Sequence, residues 1–368
     1  MEFNQTLLQY YNKDMVKALS KGIHRISRDL EKVKIMHVCG THEHEIAKFG
    51  IRQLLPDSIH IVPGPGCPVC ICPVELIDQA ITLAYQDNIT VLTFGDMLRV
   101  PATRESLDDA RKNGASVNMV YGPMDAIKIA TSNPDKQYVF FSIGFETTAS
   151  GVAGIIKNGV PKNLFFLIAN RYMPPVLELL MDIHEESIQG FLLAGHAVTV
   201  TGIHAYDFME QEYQLPCVVS GFEPVDILGS VLNLLQQIKN KQATVVNLYK
   251  RIVNDNGNEI MLKMMDAVFD LVPGIWRGID NIDGTAYQLK PEFEFLDAAR
   301  QFDATPPFES RAHPPGCRCH RIMLGEQDPT DCKMFKTKCS PENPYGPCMV
   351  SHEGTCNSWF VNAGEIEL

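Results

Sequence analysis

The run Tyr138-Val-Phe-Phe-Ser-Ile-Gly-Phe-Glu-Thr-Thr148 indicates the class of the fold. Residues Tyr138–Ile143 are almost continuously apolar, and the run stops at Gly144. A short apolar run of this kind is typical of a strand buried on both faces, as in a parallel sheet. Glu146 and two threonines follow, and threonine is a common residue at the start of a helix. The stretch therefore predicts a parallel strand, a turn and a helix.

The same pattern recurs along the chain and predicts eight strands. They are Ile35–Val38, Ile59–Val62, Ile89–Phe94, Ser116–Val120, Tyr138–Ile143, Leu164–Ala169, Gly190–Ala194 and Val218–Ser220. Helical patterns alternate with them, which predicts an α/β fold with doubly wound parallel sheets. Four strands in each half predict two similar domains, 33–127 and 128–225. Residues 1–32 together with 226–368 are predicted to form a third domain, which is helical and cysteine-rich.

Composition limits the class of protein. The chain has 368 residues, of which 45% are hydrophobic and 21% charged, so it is long and apolar enough for more than one folded domain. Its net charge is −12 and it has no basic run, which argues against broad contact with nucleic acid. It has no apolar run of about 20 residues and no secretory signal, so we expect a cytoplasmic protein with no membrane span.

The C-terminal tail holds six of the eleven cysteines: Cys317, Cys319, Cys332, Cys339, Cys348 and Cys356. In a reducing compartment such a cluster favours metal ligation or redox chemistry over a fixed set of disulfides. Structural zinc prefers cysteine pairs with two to four residues between them. The tail lacks this pattern, because only one residue separates Cys317 from Cys319. Iron–sulfur ligation tolerates varied spacing and is the favoured interpretation. Zinc and disulfides remain as alternatives at this point.

A second motif, Cys67-Pro-Val-Cys70, follows a predicted strand and opens a predicted helix. The free N–H groups and dipole of a helix N-terminus lower the pKa of a thiol, which suits a reversible dithiol–disulfide pair. The alternative is half of a zinc site, but the chain has no second C-x-x-C to complete it. Cys72 is interpreted as a bystander.

A third motif is Cys39-Gly-Thr-His42, just after the first predicted strand. A thiolate and an imidazole at this spacing suit a transition metal such as iron. They equally suit a Cys–His nucleophile. The alternative is a purely structural role, in which Thr41 or His42 caps a helix and Cys39 is a small buried residue.

Other polar motifs also follow predicted strands, and sites in doubly wound folds lie at the carboxyl ends of strands. They are Gly64-Pro-Gly66, Gly95-Asp96, Gly144-Phe-Glu146, Gly195-His196 and Gly221-Phe-Glu223. Glu146 is either a proton relay or part of a helix start. The two Gly-Phe-Glu triplets hint at an internal duplication. The chain has no phosphate-loop or dinucleotide-binding motif, so nothing in it indicates nucleotide binding.

Several of these motifs, in one order along nearly the whole chain, resemble the HypD family of hydrogenase maturation factors. The motifs are Cys39-Gly-Thr-His-Glu43, Gly64-Pro-Gly-Cys-Pro-Val-Cys70, Gly144-Phe-Glu-Thr-Thr148, Gly221-Phe-Glu-Pro224, Trp276-Arg-Gly278 and the tail from Cys339-Ser-Pro-Glu-Asn-Pro344 through Cys348-Met-Val-Ser-His-Glu-Gly-Thr-Cys356. The resemblance implies a scaffold on which the Fe(CN)2CO unit of NiFe hydrogenases is assembled. It also implies two partners, a small HypC-type chaperone and a HypE-type protein that donates cyanide.

The resemblance assigns roles by position. Cys39 would hold the iron, with His42 close by, and Cys67 and Cys70 would be a redox-active dithiol. The ligands of a 4Fe-4S cluster would be Cys317, Cys332, Cys339 and Cys356. Cys319 in place of Cys317, or participation of Cys348, remains open.

Two other functions are weighed against this one. A stand-alone iron–sulfur disulfide reductase would use the tail and the Cys67/Cys70 pair but would leave the Cys39 motif idle. A zinc-stabilised interaction scaffold would make all the cysteines structural. The resemblance favours the maturation scaffold over both.

Overall fold

The computed structural model describes residues 9–184 and 187–362. All eight predicted strands are present, with ends that differ from the prediction by two residues at most. The strands are β1 (Val33–His37), β2 (Ile59–Pro63), β3 (Ile89–Thr93), β4 (Val117–Met119), β5 (Gln137–Ser142), β6 (Leu164–Ile168), β7 (Gly190–Ala194), β8 (Cys217–Ser220), β9 (Val245–Asn247), β10 (Phe269–Ile275) and β11 (Asn281–Leu289).

Helices alternate with these strands as the sequence predicts. They are α1 (Lys13–Ile26), α2 (Gly40–Lys48), α3 (Pro68–Ile71), α4 (Val74–Ala84), α5 (Leu107–Lys112), α6 (Pro123–Ser132), α7 (Glu146–Asn158), α8 (Val176–His184), α9 (Gly195–Thr201), α10 (Asp207–Gln211), α11 (Pro224–Lys239), α12 (Glu259–Val268), α13 (Ala298–Gln301), α14 (Cys319–Met323) and α15 (Thr355–Val361). In the part of the chain that the structure describes, no helix is both long and apolar enough to cross a membrane.

The strands form two parallel sheets, which confirms the predicted fold class. The first sheet has the order β2-β1-β7-β8-β9 and the second the order β4-β3-β5-β6. When the strands of each sheet are numbered along the chain, the orders are 2-1-3-4-5 and 2-1-3-4. Both sheets therefore reverse direction between their first and third strands, and such a switch point is where open α/β sheets bind ligands.

The predicted domain boundaries do not match these sheets. Strands β7 and β8 lie beyond residue 128, yet β7 pairs with β1 through Ile35 and Gly190. Strands β3–β6 form a separate sheet inserted between the second and third strands of the first one. The ranges 33–127 and 128–225 are therefore wrong as domains. Their apolar runs predict burial but carry no information about which strand pairs with which.

The third predicted domain is also divided differently. Within its described part, residues 9–32 and 226–362, helices α1 and α11 pack on the first sheet, where Ile23 and Leu228 share a core with Ile35. Strand β9 extends the same sheet. Strands β10 and β11 form an antiparallel hairpin that sequence analysis does not predict. Pro273, Gly274 and a register shift interrupt the alternation along β10, and this hides the strand pattern.

Candidate functional site

The two sheets face one another across a cavity of about 510 Å³. It is lined by residues that follow β1 and β7 of the first sheet and β3 and β5 of the second. These four strands flank the switch points of the two sheets. The polar groups on this wall come from Cys39, Thr41, Asp96, Thr147, Thr148, His196, Ser351, His352 and Glu353. Most of the motifs that follow strands contribute residues to this wall, and Gly221-Phe-Glu223 does not.

Cys39 lies on this wall at the N-terminus of α2. Its side chain is 8% exposed. Burial and the nearby Glu353 carboxylate raise the pKa of the Cys39 thiol to about 12, although the backbone N–H groups of His42 and Thr41 act in the opposite direction. The thiol is therefore protonated at neutral pH unless a cation at the sulfur offsets the cost of burying its charge.

The glycines around Cys39 are required by close packing. A Cβ on Gly66 would lie 2.2 Å from the backbone nitrogen of Cys39, and the Gly66 carbonyl accepts a hydrogen bond from the Gly40 N–H at 3.0 Å. A Cβ on Gly40 would lie 2.5 Å from the Cβ of Glu353. These contacts give a structural reason for Gly64-Pro-Gly66 and Cys39-Gly40. The loop after β2 and the C-terminal tail therefore both pack against the turn that carries the Cys39 thiol.

His42 is next to this site but does not line the described cavity. Its Nε2–H donates to the Gly221 carbonyl at 2.9 Å, and its ring packs on Phe222 with 4.8 Å between centroids. Burial lowers its pKa to about 3, so the imidazole is neutral. Phe222 also packs on His196, at 4.1 Å between centroids, and His196 does line the cavity. His42 therefore supports the wall of the site.

Cys67 and Cys70 are joined as a disulfide at the start of α3. Both cysteines are buried, and Pro68 and Val69 between them line the cavity. The two sulfurs are thus within reach of each other, as a reversible pair must be.

The C-terminal tail folds back onto this helix. The short helical turn Pro347–Met349 contacts α3, and Ser351–Glu353 form part of the cavity wall. The Thr41 hydroxyl donates to Glu353 Oε1 at 2.9 Å. Cys348 therefore lies in a turn that contacts the helix of the Cys67–Cys70 pair, just before the tail residues that line the Cys39 cavity, a proximity that sequence spacing cannot reveal.

Four tail thiols are in direct contact. The Sγ atoms of Cys317 and Cys319 lie 3.2 Å apart. Hydrogen bonds from the Cys319 and Cys348 thiols lower the pKa of Cys356, although burial opposes them. Gly346 leaves room for this group, because a Cβ there would lie 2.5 Å from the Cys317 sulfur. Cysteine sulfurs grouped in this way are of the ligand type that iron accepts.

The remaining two tail cysteines lie close by. Cys339 is near enough to Cys317 and Cys319 for their charge to raise its pKa, in addition to the effect of burial. Cys332 is buried in the same core, but none of these thiol contacts involves it. Of the predicted ligands, Cys317, Cys339 and Cys356 are therefore neighbours, and Cys332 is not among their contacts. The contacts of Cys319 and Cys348 keep both of them as possible ligands.

Glu146 lies behind the cavity wall at the start of α7. Its side chain is completely buried, and its Oε1 accepts the Met173 N–H at 2.8 Å. Its Oε2 has no hydrogen-bond partner in the described residues, and the same is true of the buried Tyr206 hydroxyl. Burial raises the pKa of Glu146 to about 7. Because Thr147 and Thr148 do line the cavity, Glu146 is close to it but not on its surface.

Replacing Glu146 with glutamine is expected to remove a pH-dependent loss of stability. The folded-state pKa of about 7 lies above the ordinary value of 4.5, so the folded protein retains a proton that the unfolded chain releases. The wild type should therefore lose up to about 3 kcal/mol relative to Glu146→Gln as the pH rises through this window. Urea unfolding of both proteins across that range measures the difference. Parallel stability curves would contradict the raised pKa.

Glu43 on α2 is the centre of a buried polar network. Its carboxylate accepts hydrogen bonds from His37 Nε2 at 2.6 Å, from Arg52 at 3.1 and 2.7 Å, and from Trp359 Nε1 at 2.8 Å. Burial alone would raise its pKa, but Arg52 and His37 together hold the pKa well below the ordinary value. Trp359 belongs to α15, which also carries Cys356. The network therefore fastens the tail to the helix that begins at Cys39.

Sequence analysis does not select His352 and Glu353 as site residues. Both lie in Ser351-His-Glu353, between Cys348 and Cys356, and this position was the signal that could have found them. Asp96 and His196 belong to motifs that sequence analysis does name, and the strand order shows that the strands they follow, β3 and β7, flank the switch points.

Fold and site together define a two-sheet α/β protein with a thiol in its inter-sheet cleft and a cysteine-rich tail that closes the cleft. Residues 14–363 match the HypD family model, described as "Hydrogenase formation hypA family". A putative hydrogenase expression/formation protein of Methanocaldococcus jannaschii is 39% identical over 357 residues, which cover 96% of this chain and 99% of the relative. The hydrogenase maturation factors HypD of Rhodobacter capsulatus and of Escherichia coli are each 36% identical, over 95% and 94% of their lengths. The chain belongs to the HypD family of hydrogenase maturation factors, which confirms the resemblance of its motifs.

Proposed function

We propose that this chain is the scaffold that holds iron while the Fe(CN)2CO unit of NiFe hydrogenase is assembled. The observation that carries the proposal is the position of Cys39, whose thiol lies on the wall of a cavity at the switch points of both sheets. Sites in α/β folds are built at such points. Membership of a hydrogenase maturation family supports the same role.

Iron bound at Cys39 would be cargo in this scheme. A ferrous ion at the sulfur would stabilise the thiolate that burial and Glu353 disfavour. Cyanide and CO favour low-spin Fe(II), which thiolates accommodate. Only one cysteine of this chain lines the described cavity, so a second thiolate would come from a partner. A small HypC-type chaperone would supply it, and a HypE-type protein would donate the cyanide groups.

The tail would hold a 4Fe-4S cluster. The group of thiols around Cys356, with space left by Gly346, fits a thiolate-ligated cluster. We assign its ligands to Cys317, Cys332, Cys339 and Cys356, with Cys319 and Cys348 as the possible replacements. When bound, the cluster would supply electrons one at a time. The contact of the tail with α3 supports a role for Cys67 and Cys70 as the dithiol that exchanges electrons with it.

Co-expression with a HypC-type chaperone tests the iron scaffold directly. Anaerobic purification of the complex, followed by infrared spectroscopy, is expected to show the stretching bands of metal-bound CO and cyanide. Iron and sulfide analysis of the same sample should give about four cluster irons in addition to the iron that bears these ligands.

The outcomes distinguish the proposed function from its rivals. A cluster without CO or cyanide bands, together with turnover of a disulfide substrate in the absence of any chaperone, would favour the stand-alone iron–sulfur disulfide reductase. The contact of the tail with the Cys67–Cys70 helix is the observation that keeps this second function in consideration. A protein that contains zinc and no iron would contradict both.

A further inference from the structure

Arg277 is a buried cation that lies between the elements carrying the cysteines. It follows Trp276 in the turn that joins β10 to β11, and its side chain is 1% exposed. Its backbone N–H donates to the Ile71 carbonyl of α3 at 3.0 Å. Its Nε donates to the Ala312 carbonyl at 2.6 Å, and its Nη2 donates to the Pro101 carbonyl at 2.7 Å. Two backbone carbonyls therefore fix the guanidinium group, and a third fixes the backbone of the residue that carries it.

The guanidinium has no anionic partner in the described residues. No Asp or Glu oxygen lies within 4 Å of it there, and its Nη1 is buried without a hydrogen-bond partner. Burying an unpaired charge costs several kcal/mol, so buried arginines are normally paired. Burial lowers the pKa of Arg277, and the groups that oppose this shift are, in order, Cys72, Cys319, Cys317 and Asp78. Cys72 and two tail thiols are thus near enough to act on this cation, and its hydrogen bond to the Ala312 carbonyl places it beside the segment that leads to Cys317.

We propose that Arg277 is the counter-charge of the tail iron–sulfur centre and raises its reduction potential. This inference rests on the proposed function, since it takes the tail thiols to be cluster ligands. A cluster held by four thiolates is anionic and gains one more negative charge when it accepts an electron. A fixed cation in a water-poor interior stabilises the more negative, reduced form. The inference holds whether Cys317 or Cys319 is the ligand, because both lie close to Arg277.

Arg171 offers a matched control. It is also buried, at 3% exposed, and it too is held by backbone carbonyls. Its Nε and Nη2 donate to the Ile275 carbonyl and its Nη1 to the Asn170 carbonyl, so each of its nitrogens has a partner. Burial lowers the pKa of Arg171, and Cys72 is the one cysteine that opposes this shift. No tail cysteine affects it. Losing either arginine removes one buried cation, but only Arg277 faces the tail thiols.

The test is a redox titration of the anaerobically purified full chain, with dithionite as reductant and electron paramagnetic resonance as the readout. Arg277→Gln removes the charge but keeps an amide that can donate to the carbonyls. It is expected to lower the equilibrium constant for one-electron reduction of the cluster at least tenfold. The midpoint potential then falls by about 59 mV. Arg277→Lys keeps the charge and should remain close to the wild type. Arg171→Gln should also remain close to it.

Each outcome bears on the inference. Equal shifts in Arg277→Gln and Arg171→Gln would overturn it, because a general loss of packing or charge would then explain both. An unchanged potential in Arg277→Gln would overturn it as well. If Arg277→Gln does not fold, Arg277→Lys provides the test. A tenfold lower equilibrium constant for cluster reduction in this variant, which keeps the charge, would show that charge is not the cause. If the wild type contains no cluster, the cluster assignment of the proposed function fails first, and this inference falls with it.

Discussion

Replacing Cys39 with alanine is expected to abolish the CO and cyanide bands of the assembled iron unit and to leave the tail cluster intact. Cys39 is the one thiol of this chain on the described cavity wall, whereas the tail thiols form a separate group around Cys356. On the proposed function, loss of the sulfur would remove the bond from this chain to the iron, and no other cysteine lines the described cavity. Infrared spectra and iron–sulfide analysis of the same anaerobic preparation measure the two sites independently.

Cys217→Ala is the matched control for this variant. Cys217 lies in β8, is fully buried and takes no part in the described cavity. It should lose some packing energy while keeping both the infrared bands and the cluster. Equal loss of bands and cluster in Cys39→Ala would argue that the two metal sites are not separate.

Replacing Glu43 with glutamine is expected to destabilise the protein by about 3–5 kcal/mol at neutral pH, because it leaves Arg52 and the buried His37 without their anion. The lowered pKa of Glu43 means that the carboxylate stabilises the fold above the ordinary value of 4.5. That contribution is lost as the pH falls below 4.5, so the difference between variant and wild type should shrink in acid. Urea unfolding at neutral and acidic pH measures both effects.

Glu45 on the same helix provides the comparison. It lies 3.5 Å from the half-exposed Lys48 and 3.9 Å from His44, with neither pair buried to the degree of the Glu43 network. Glu45→Gln should therefore change stability by less than about 1 kcal/mol. Similar losses in the free energy of unfolding for Glu43→Gln and Glu45→Gln would contradict the stabilisation attributed to the Glu43 network. Because Trp359 is part of that network, Glu43→Gln should also loosen α15 and expose Cys356 to alkylation in the cluster-free chain.

The eight strands of the two sheets could be predicted because strands buried on both faces leave continuous apolar runs. Tyr138–Ile143 and Gly190–Ala194 are examples, and both end where the prediction places a turn. The order of the strands could not be predicted, since Ile35 carries no mark of its pairing with Gly190. The domain boundaries failed for this reason. The two Gly-Phe-Glu triplets were also misleading, because they follow the third strand of one sheet and the fourth of the other.

The site shows the same division between local and long-range information. Cys39, Cys67 and Cys70 could be selected because reactive residue types follow strands and precede helices. The part played by the tail could not, since Glu353 and Thr41 are 312 residues apart in the chain. Arg277 was quoted only as part of a motif. Its burial without a carboxylate partner depends on three segments that sequence spacing does not relate.

The insertion of one sheet within the other has a consequence for biosynthesis. All four strands of the second sheet lie within residues 89–168, but its core also includes Val200 and residues between 265 and 296. In the first sheet, β1 must wait for β7. The cavity needs Glu353 as well, which is 314 residues after Cys39. At about 5–20 residues per second, this interval is roughly 15–60 s of translation. The nascent chain therefore carries Cys39 through most of its synthesis without the wall that surrounds it later, and we expect iron to be loaded only after release.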